Sequence, residues 1–200
     1  MLAISYSNIG QVHEEMGNYS KALEFFKKAF EIEEKALRHI RPTLASSYKC
    51  IGGIYEKMGD YSEALKSYET AHQIEEKSLP PNQPTLATSH RRIAEVYANK
   101  GDYSEALKFY QKAREIQEKT LPSTHPSLAT TYNDIGLLYL KMGKDLEALE
   151  LYEKAQRIDE KALPSTHCDF ATTYHNVGQA YRQHGDYSKA LEFYEKASYL

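Results

Sequence analysis

Between residues 43 and 58 the apolar positions Leu44, Ala45, Tyr48, Ile51, Gly52 and Tyr55 recur at three- and four-residue intervals, the spacing of one helix face. Pro42 stands just ahead of them, and its fixed φ and missing N–H suit a first helical turn, so a helix is predicted to start there. Gly59 predicts the stop, because without a Cβ it enters the left-handed region freely. Asp60 follows, with Glu63 three residues on, the pattern of a capping box; Asp102 and Glu105 repeat it. The second helix then carries Ala64, Leu65, Tyr68, Ala71 and Ile74 and is expected to run to about Leu79. Pro80, Pro81 and Pro84 end it and hold the linker extended.

This pair of helices recurs. Gly17, Gly59, Gly101, Gly143 and Gly185 lie 42 residues apart, as do Pro42, Pro84 and Pro126, with Cys168 in the next proline position. Ala22, Ala64, Ala106, Ala148 and Ala190 form another column, and Leu23, Leu65, Leu107, Leu149 and Leu191 stand beside it. A fixed period of this length marks a solenoid, in which each unit packs on its neighbours. The expectation is therefore an all-α fold, an α-solenoid forming a single array over 1–200. Its five helix-turn-helix repeats fall at about 1–41, 42–83, 84–125, 126–167 and 168–200, the first and last truncated. On the polar side of the second helices Glu-to-Lys pairs four residues apart (Glu24–Lys28, Glu31–Lys35, Glu115–Lys119, Glu150–Lys154, Glu192–Lys196) predict a solvated face.

The columns resemble the tetratricopeptide repeat: an aromatic, an aliphatic–Gly pair, a Tyr, then Ala and an aromatic. They read Tyr48, Ile51–Gly52, Tyr55, Ala64, Tyr68, and recur as Tyr132, Ile135–Gly136, Tyr139, Ala148, Tyr152 and as Tyr174, Val177–Gly178, Tyr181, Ala190, Tyr194. His90, Ala94 and His13 depart from the pattern. The usual repeat of about 34 residues has a proline soon after its second helix. Here Glu34, Glu76, Glu118 and Glu160 stand at that place and the helix continues, which is similar to the kinesin light chain variety. The resemblance covers essentially the whole chain and implies a right-handed superhelix whose first helices line a concave groove.

It also implies that ligand contacts come from fixed offsets along those first helices. Carried onto this sequence, the offsets include Lys49 and Lys57 in the second repeat and Arg91 with Glu95 in the third. They include Asn133 and Lys141 in the fourth, and His175 and Arg182 in the fifth. Arg91, Lys141 and Arg182 outweigh Glu95, so an extended acidic or amidic peptide is expected, its backbone held by Asn133 and its carboxylates by the cations. The residues of the dicarboxylate clamp that grips chaperone tails are missing: Ser7, Gln11, Cys50, Thr88 and Arg92 occupy its places, and only Arg92 fits.

Catalysis finds no footing. There is no GxSxG, no Gly-rich phosphate loop and no HExxH, and His125 and His167 lie a whole repeat apart, too far to share a metal. A non-enzyme without cofactor or metal is expected. A net charge of −3 argues against a nucleic-acid grip along the chain, and no apolar run is long enough to span a membrane. Two cysteines, Cys50 and Cys168, nearly three repeats apart, make no disulfide framework and suit a reducing, cytoplasmic setting.

The leading expectation is thus a protein–protein interaction scaffold or adaptor. Two others stand beside it: a regulatory sensor arm of a larger signalling protein, and a structural module that stacks head to tail. For the last, Met1 falls inside a first helix and Leu200 inside a second one, so neither end shows a polar cap. Leu191, Tyr194, Ala197 and Leu200 are expected to leave an apolar face open to a neighbouring molecule.

Overall fold

The computed structural model describes residues 2–36, 41–80, 83–162 and 168–199, with side chains placed for 2–35, 43–80, 83–162 and 170–199. Met1, Pro81, His167, Leu200 and the side chain of Cys168 lie outside the described residues. Among the described residues ten helices follow one another: α1 (Leu2–Glu15), α2 (Tyr19–Ala36), α3 (Arg41–Lys57), α4 (Tyr61–Ser78), α5 (Pro84–Lys100), α6 (Tyr103–Thr120), α7 (Pro126–Lys141), α8 (Asp145–Ala162), α9 (Cys168–His184) and α10 (Tyr187–Ser198). Among the described residues there is no strand, and no helix is long and apolar enough to cross a membrane. The helices form two compact units, Met1–Asp102 with α1 to α5 and Tyr103–Leu200 with α6 to α10.

The punctuation read from the sequence is where the helices turn. Gly101 closes α5 at φ 92°, its N–H bonding Ala98 O while the N–H of Asp102 reaches back to Tyr97 O at 2.9 Å. Only a residue without a Cβ takes that conformation at no steric cost, and the other four glycines of the column share it. Asp60 caps α4 by accepting from the N–H of Glu63 at 3.2 Å, and Asp186 caps α10 through Lys189 in the same way. Asp102 instead takes the ammonium of Lys100 at 2.7 Å. α5 and α7 start at their column's proline, Pro84 and Pro126.

Small residues and rings fill the space between paired helices. In the N-terminal unit Ala22, Phe26, Ile51 and Ile54 are buried together, with Leu23, Phe30 and Tyr55 against them. In the C-terminal unit Leu140, Ala148, Leu149, Tyr152, Val177 and Ala180 do the same. A Cβ built on Gly136 would stand 2.6 Å from Tyr152 Cε1, and one on Gly52 would stand 3.2 Å from the Tyr68 ring. The glycine is thus the gap into which the next helix presses its tyrosine. Of the surface pairs, Glu24–Lys28 and Glu192–Lys196 close at 2.6 Å.

Candidate functional site

In the N-terminal unit α1, α3 and α5 present an open groove of about 670 Å³, walled by Glu14, Lys49, Gly53, Glu56, Lys57 and Arg92. It is a surface of matched charges. Lys57 donates to Glu14 across α3 and α1 at 2.7 Å, and that bond holds its ammonium above the ordinary lysine range. Lys49 turns inward to the carboxylate of Glu75, 2.7 Å away on α4, whose side chain is only 6% exposed. Arg91 and Arg92 both reach Glu95, at 3.2 and 2.9 Å. Glu56 accepts from Tyr68 Oη at 3.2 Å and from Asn99 Nδ2 at 3.0 Å. Burial first, and the neighbouring Glu95 second, raise its carboxyl above the ordinary value, with the two hydrogen bonds opposing them. The Cys50 thiol opens onto the same groove; desolvation by the groove walls, then Glu14, push its pKa up, so it stays a protonated thiol.

In the C-terminal unit the corresponding face belongs to α7 and α9. A smaller hollow of about 290 Å³ is bordered by Thr130, Asn133, Asp134, Leu137, Thr172 and Asn176. Asn133, expected to hold a ligand backbone, gives its Nδ2 to Thr173 Oγ1 at 3.0 Å, and Thr173 passes the chain on to Asp159. The amide nitrogen is therefore committed inside the protein, while its buried Oδ1 finds no partner among the described residues. Lys141 and Arg182 occupy the last turns of α7 and α9, both exposed. Neither pairs with a carboxylate of a described residue, in contrast to Lys49, Lys57 and Arg91. His175 is exposed, its ring 5.4 Å from that of Tyr194.

Of the other residues singled out, His125 helps to start a helix, its Nδ1 accepting from the N–H of Ser127 in the first turn of α7. No cluster of metal-ligating side chains occurs among the described residues. Leu191 is 62% exposed, while Tyr194 and Ala197 are half-buried, Tyr194 lying against Gly178.

The residues that the sequence reading passed over are the buried acids. Glu75 and Asp159, 5% and 2% exposed, sit on otherwise packed faces of α4 and α8, and Ser89 and Thr173, 14 residues on, donate to them. Glu33 takes Ser47 in the same manner. The signal was present as a column, Glu33, Glu75, Gln117 and Asp159, matched by Ser47, Ser89, Thr131 and Thr173.

Helical hairpins repeating every 42 residues, each with a left-handed glycine at its turn and four of the five packed ring on glycine, define an all-α repeat protein of the solenoid class. The tetratricopeptide repeat profiles match residues 42–119, 85–161 and 128–198, and also 3–36; the chain belongs to the tetratricopeptide repeat family. Its fold is kinesin light chain-like. It is similar to a putative kinesin light chain of Podospora anserina with nearly identical TPR-like repeats, at 27% identity over 97% of this chain and 92% of that one, with a TM-score of 0.81. BtubC (BKLC) of P. vanneervenii shares the fold at 21% identity, covering 96% of this chain and 77% of that one, TM-score 0.84. So does a signal-transduction ATPase with a tetratricopeptide repeat sensor from Pyrococcus horikoshii, at 20% identity over 98% of this chain and 28% of that one, TM-score 0.78. No curated protein matches by sequence. Tetratricopeptide repeat arrays are in general scaffolds for protein–protein interaction, and generally non-catalytic.

Proposed function

We propose that this chain is a non-catalytic adaptor whose first-helix faces take an extended acidic peptide of a partner protein in a cytoplasmic setting. One observation carries the reading: Lys141 and Arg182 stand exposed and unpaired among the described residues, while the groove cations of the N-terminal unit are neutralised by Glu14, Glu75 and Glu95. An incoming carboxylate has charge-assisted hydrogen bonds to gain at the former, whereas at the latter it must displace an existing partner. Arg91 belongs to the second group and is a secondary contact. The kinesin light chain-like fold supports recognition of short partner segments.

The test is a displayed-peptide selection on the wild type beside the triple variant Arg91→Glu, Lys141→Glu, Arg182→Glu. Acidic extended peptides are expected to enrich on the first and vanish on the second. Enrichment on neither, or equally on both, overturns the reading.

Head-to-tail self-association is a second reading. It is favoured by exposed Leu2, Ile4 and Val12 on α1 and by exposed Leu191 on α10. It requires a mass that rises with concentration in sedimentation.

A further inference from the structure

On the side of the N-terminal unit formed by α2 and α4 there is a second hollow, of about 420 Å³, floored by Tyr48, Ile51 and Tyr55 of α3 and flanked by Phe30 and Ser67. Its origin is a single column of the repeat. Phe25, Ser67, Phe109, Leu151 and Phe193 occupy equivalent places 42 residues apart, so four repeats carry a large apolar side chain where the second carries a serine.

What that side chain does is visible at both ends of the chain. In the first repeat the Phe25 ring lies 6.0 Å from Tyr6 and stacks on His13 at 5.4 Å. In the fifth, Phe193 lies 6.1 Å from Tyr174 and stacks on Tyr181 at 5.7 Å. The residues equivalent to these partners in the second repeat are Tyr48 and Tyr55. Their rings are present, but Ser67 turns its hydroxyl back onto Glu63 O at 2.8 Å and offers them nothing apolar. A lysine ammonium also covers the extra ring elsewhere: Lys28 over Phe25 at 5.1 Å and Lys196 over Phe193 at 4.8 Å. The second repeat has Thr70 at that position, its hydroxyl bonded to Lys66 O, so this cover is missing too.

We infer that this hollow is a receptor site for an aromatic side chain of a partner protein, distinct from the groove walled by Glu14, Lys49 and Lys57 and independent of the acidic-peptide reading. The protein's own repeats supply the template for the occupant: a ring stacked on Tyr55 and tilted against Tyr48, with Phe30, which meets Tyr48 edge-on at 4.9 Å, as the far wall. Lys27, hydrogen-bonded to Tyr55 Oη at 3.0 Å and exposed, roofs one end and is free to swing over the bound ring as Lys28 and Lys196 do over theirs.

The experiment is ligand-observed saturation-transfer NMR on the full chain with N-acetylphenylalaninamide, against N-acetylleucinamide. Tyrosine ring shifts are followed in parallel, assigned through Tyr48→Phe and Tyr55→Phe. Saturation of the aromatic amide alone is expected, with shifts at Tyr48 and Tyr55, and Ser67→Phe should abolish both while raising the melting temperature. Ser67→Leu, which copies the fourth repeat, provides the same block should the phenylalanine variant fold poorly. Absence of shifts at Tyr48 and Tyr55 on the wild type, or undiminished binding in the filled variant, overturns the proposal.

Discussion

Thr173 Oγ1 donates a hydrogen bond to Asp159 Oδ2 at 3.1 Å, and both side chains are shut off from solvent. Asn133 Nδ2 in turn donates to the threonine, so three helices, α7, α8 and α9, meet at one polar chain inside an otherwise apolar joint. Such a chain loses stability when one of its hydrogen bonds is removed.

Thr173→Val is therefore expected to cost about 1–3 kcal/mol, since it takes one hydrogen bond from a buried carboxylate and removes the acceptor of the Asn133 amide. Urea denaturation measures the loss. Combining it with Asp159→Leu should cost less than the two single changes added together, because the double variant strands fewer polar groups.

Gly136→Ala should destabilise by about 1–3 kcal/mol, because the added methyl enters the Tyr152 ring, itself fully buried. Gly53→Ala is the control. Its Cβ would meet only Tyr68 Oη at 3.4 Å, so the gain in helix propensity of about 0.5–1 kcal/mol is expected to appear as a higher melting temperature.

Two lysines of the same groove should respond differently to truncation. Lys57→Ala breaks an exposed pair and is expected to change stability by no more than about 1 kcal/mol. Lys49→Ala leaves Glu75 buried with Ser89 as its one side-chain donor among the described residues, and is expected to cost about 1–3 kcal/mol. Chemical denaturation at matched ionic strength separates the two.

Glu56 sets a pH dependence. Its folded pKa lies above the ordinary 4.5, so the native state holds the proton more tightly than the unfolded chain. The contribution of this group to stability is then gained as pH falls through the window that opens upward from that value, and lost as pH rises through it. Glu56→Gln removes the titration while keeping a carbonyl for Tyr68. The stability of the wild type relative to this variant should rise between about pH 7 and the ordinary carboxyl value; a flat difference in denaturation midpoints would contradict the assignment.

The fold was legible because packing is local and periodic. A glycine at 52, 136 or 178 and a tyrosine 16 residues later announce a ring pressed on a backbone, and the structure places them so. The ends of α4 and α5 followed from Asp60, Gly101 and the prolines, whose conformational limits are intrinsic. The groove was harder to read because a charge is visible in sequence while its neutralising partner is not. Lys49 and Glu75 are 26 residues apart, and nothing in either one's surroundings along the chain says that they meet. Asn133 looked free for the same reason, its acceptor being 40 residues away. Lys141 and Arg182 are exposed cations without a carboxylate partner among the described residues.

The acid and hydroxyl of each pair stand 14 residues apart in consecutive repeats: half-buried Glu33 with Ser47, and buried Glu75 with Ser89 and Asp159 with Thr173. Removing 42 residues from a start between Glu33 and Ser47 places Ser89 14 residues after Glu33, so the acid meets an equivalent hydroxyl. A cut at the same place of a length that is not a whole number of periods parts the acid from that hydroxyl. The spacing of acid and hydroxyl thus makes the whole period, rather than the single helix, the unit in which this joint tolerates a change of length.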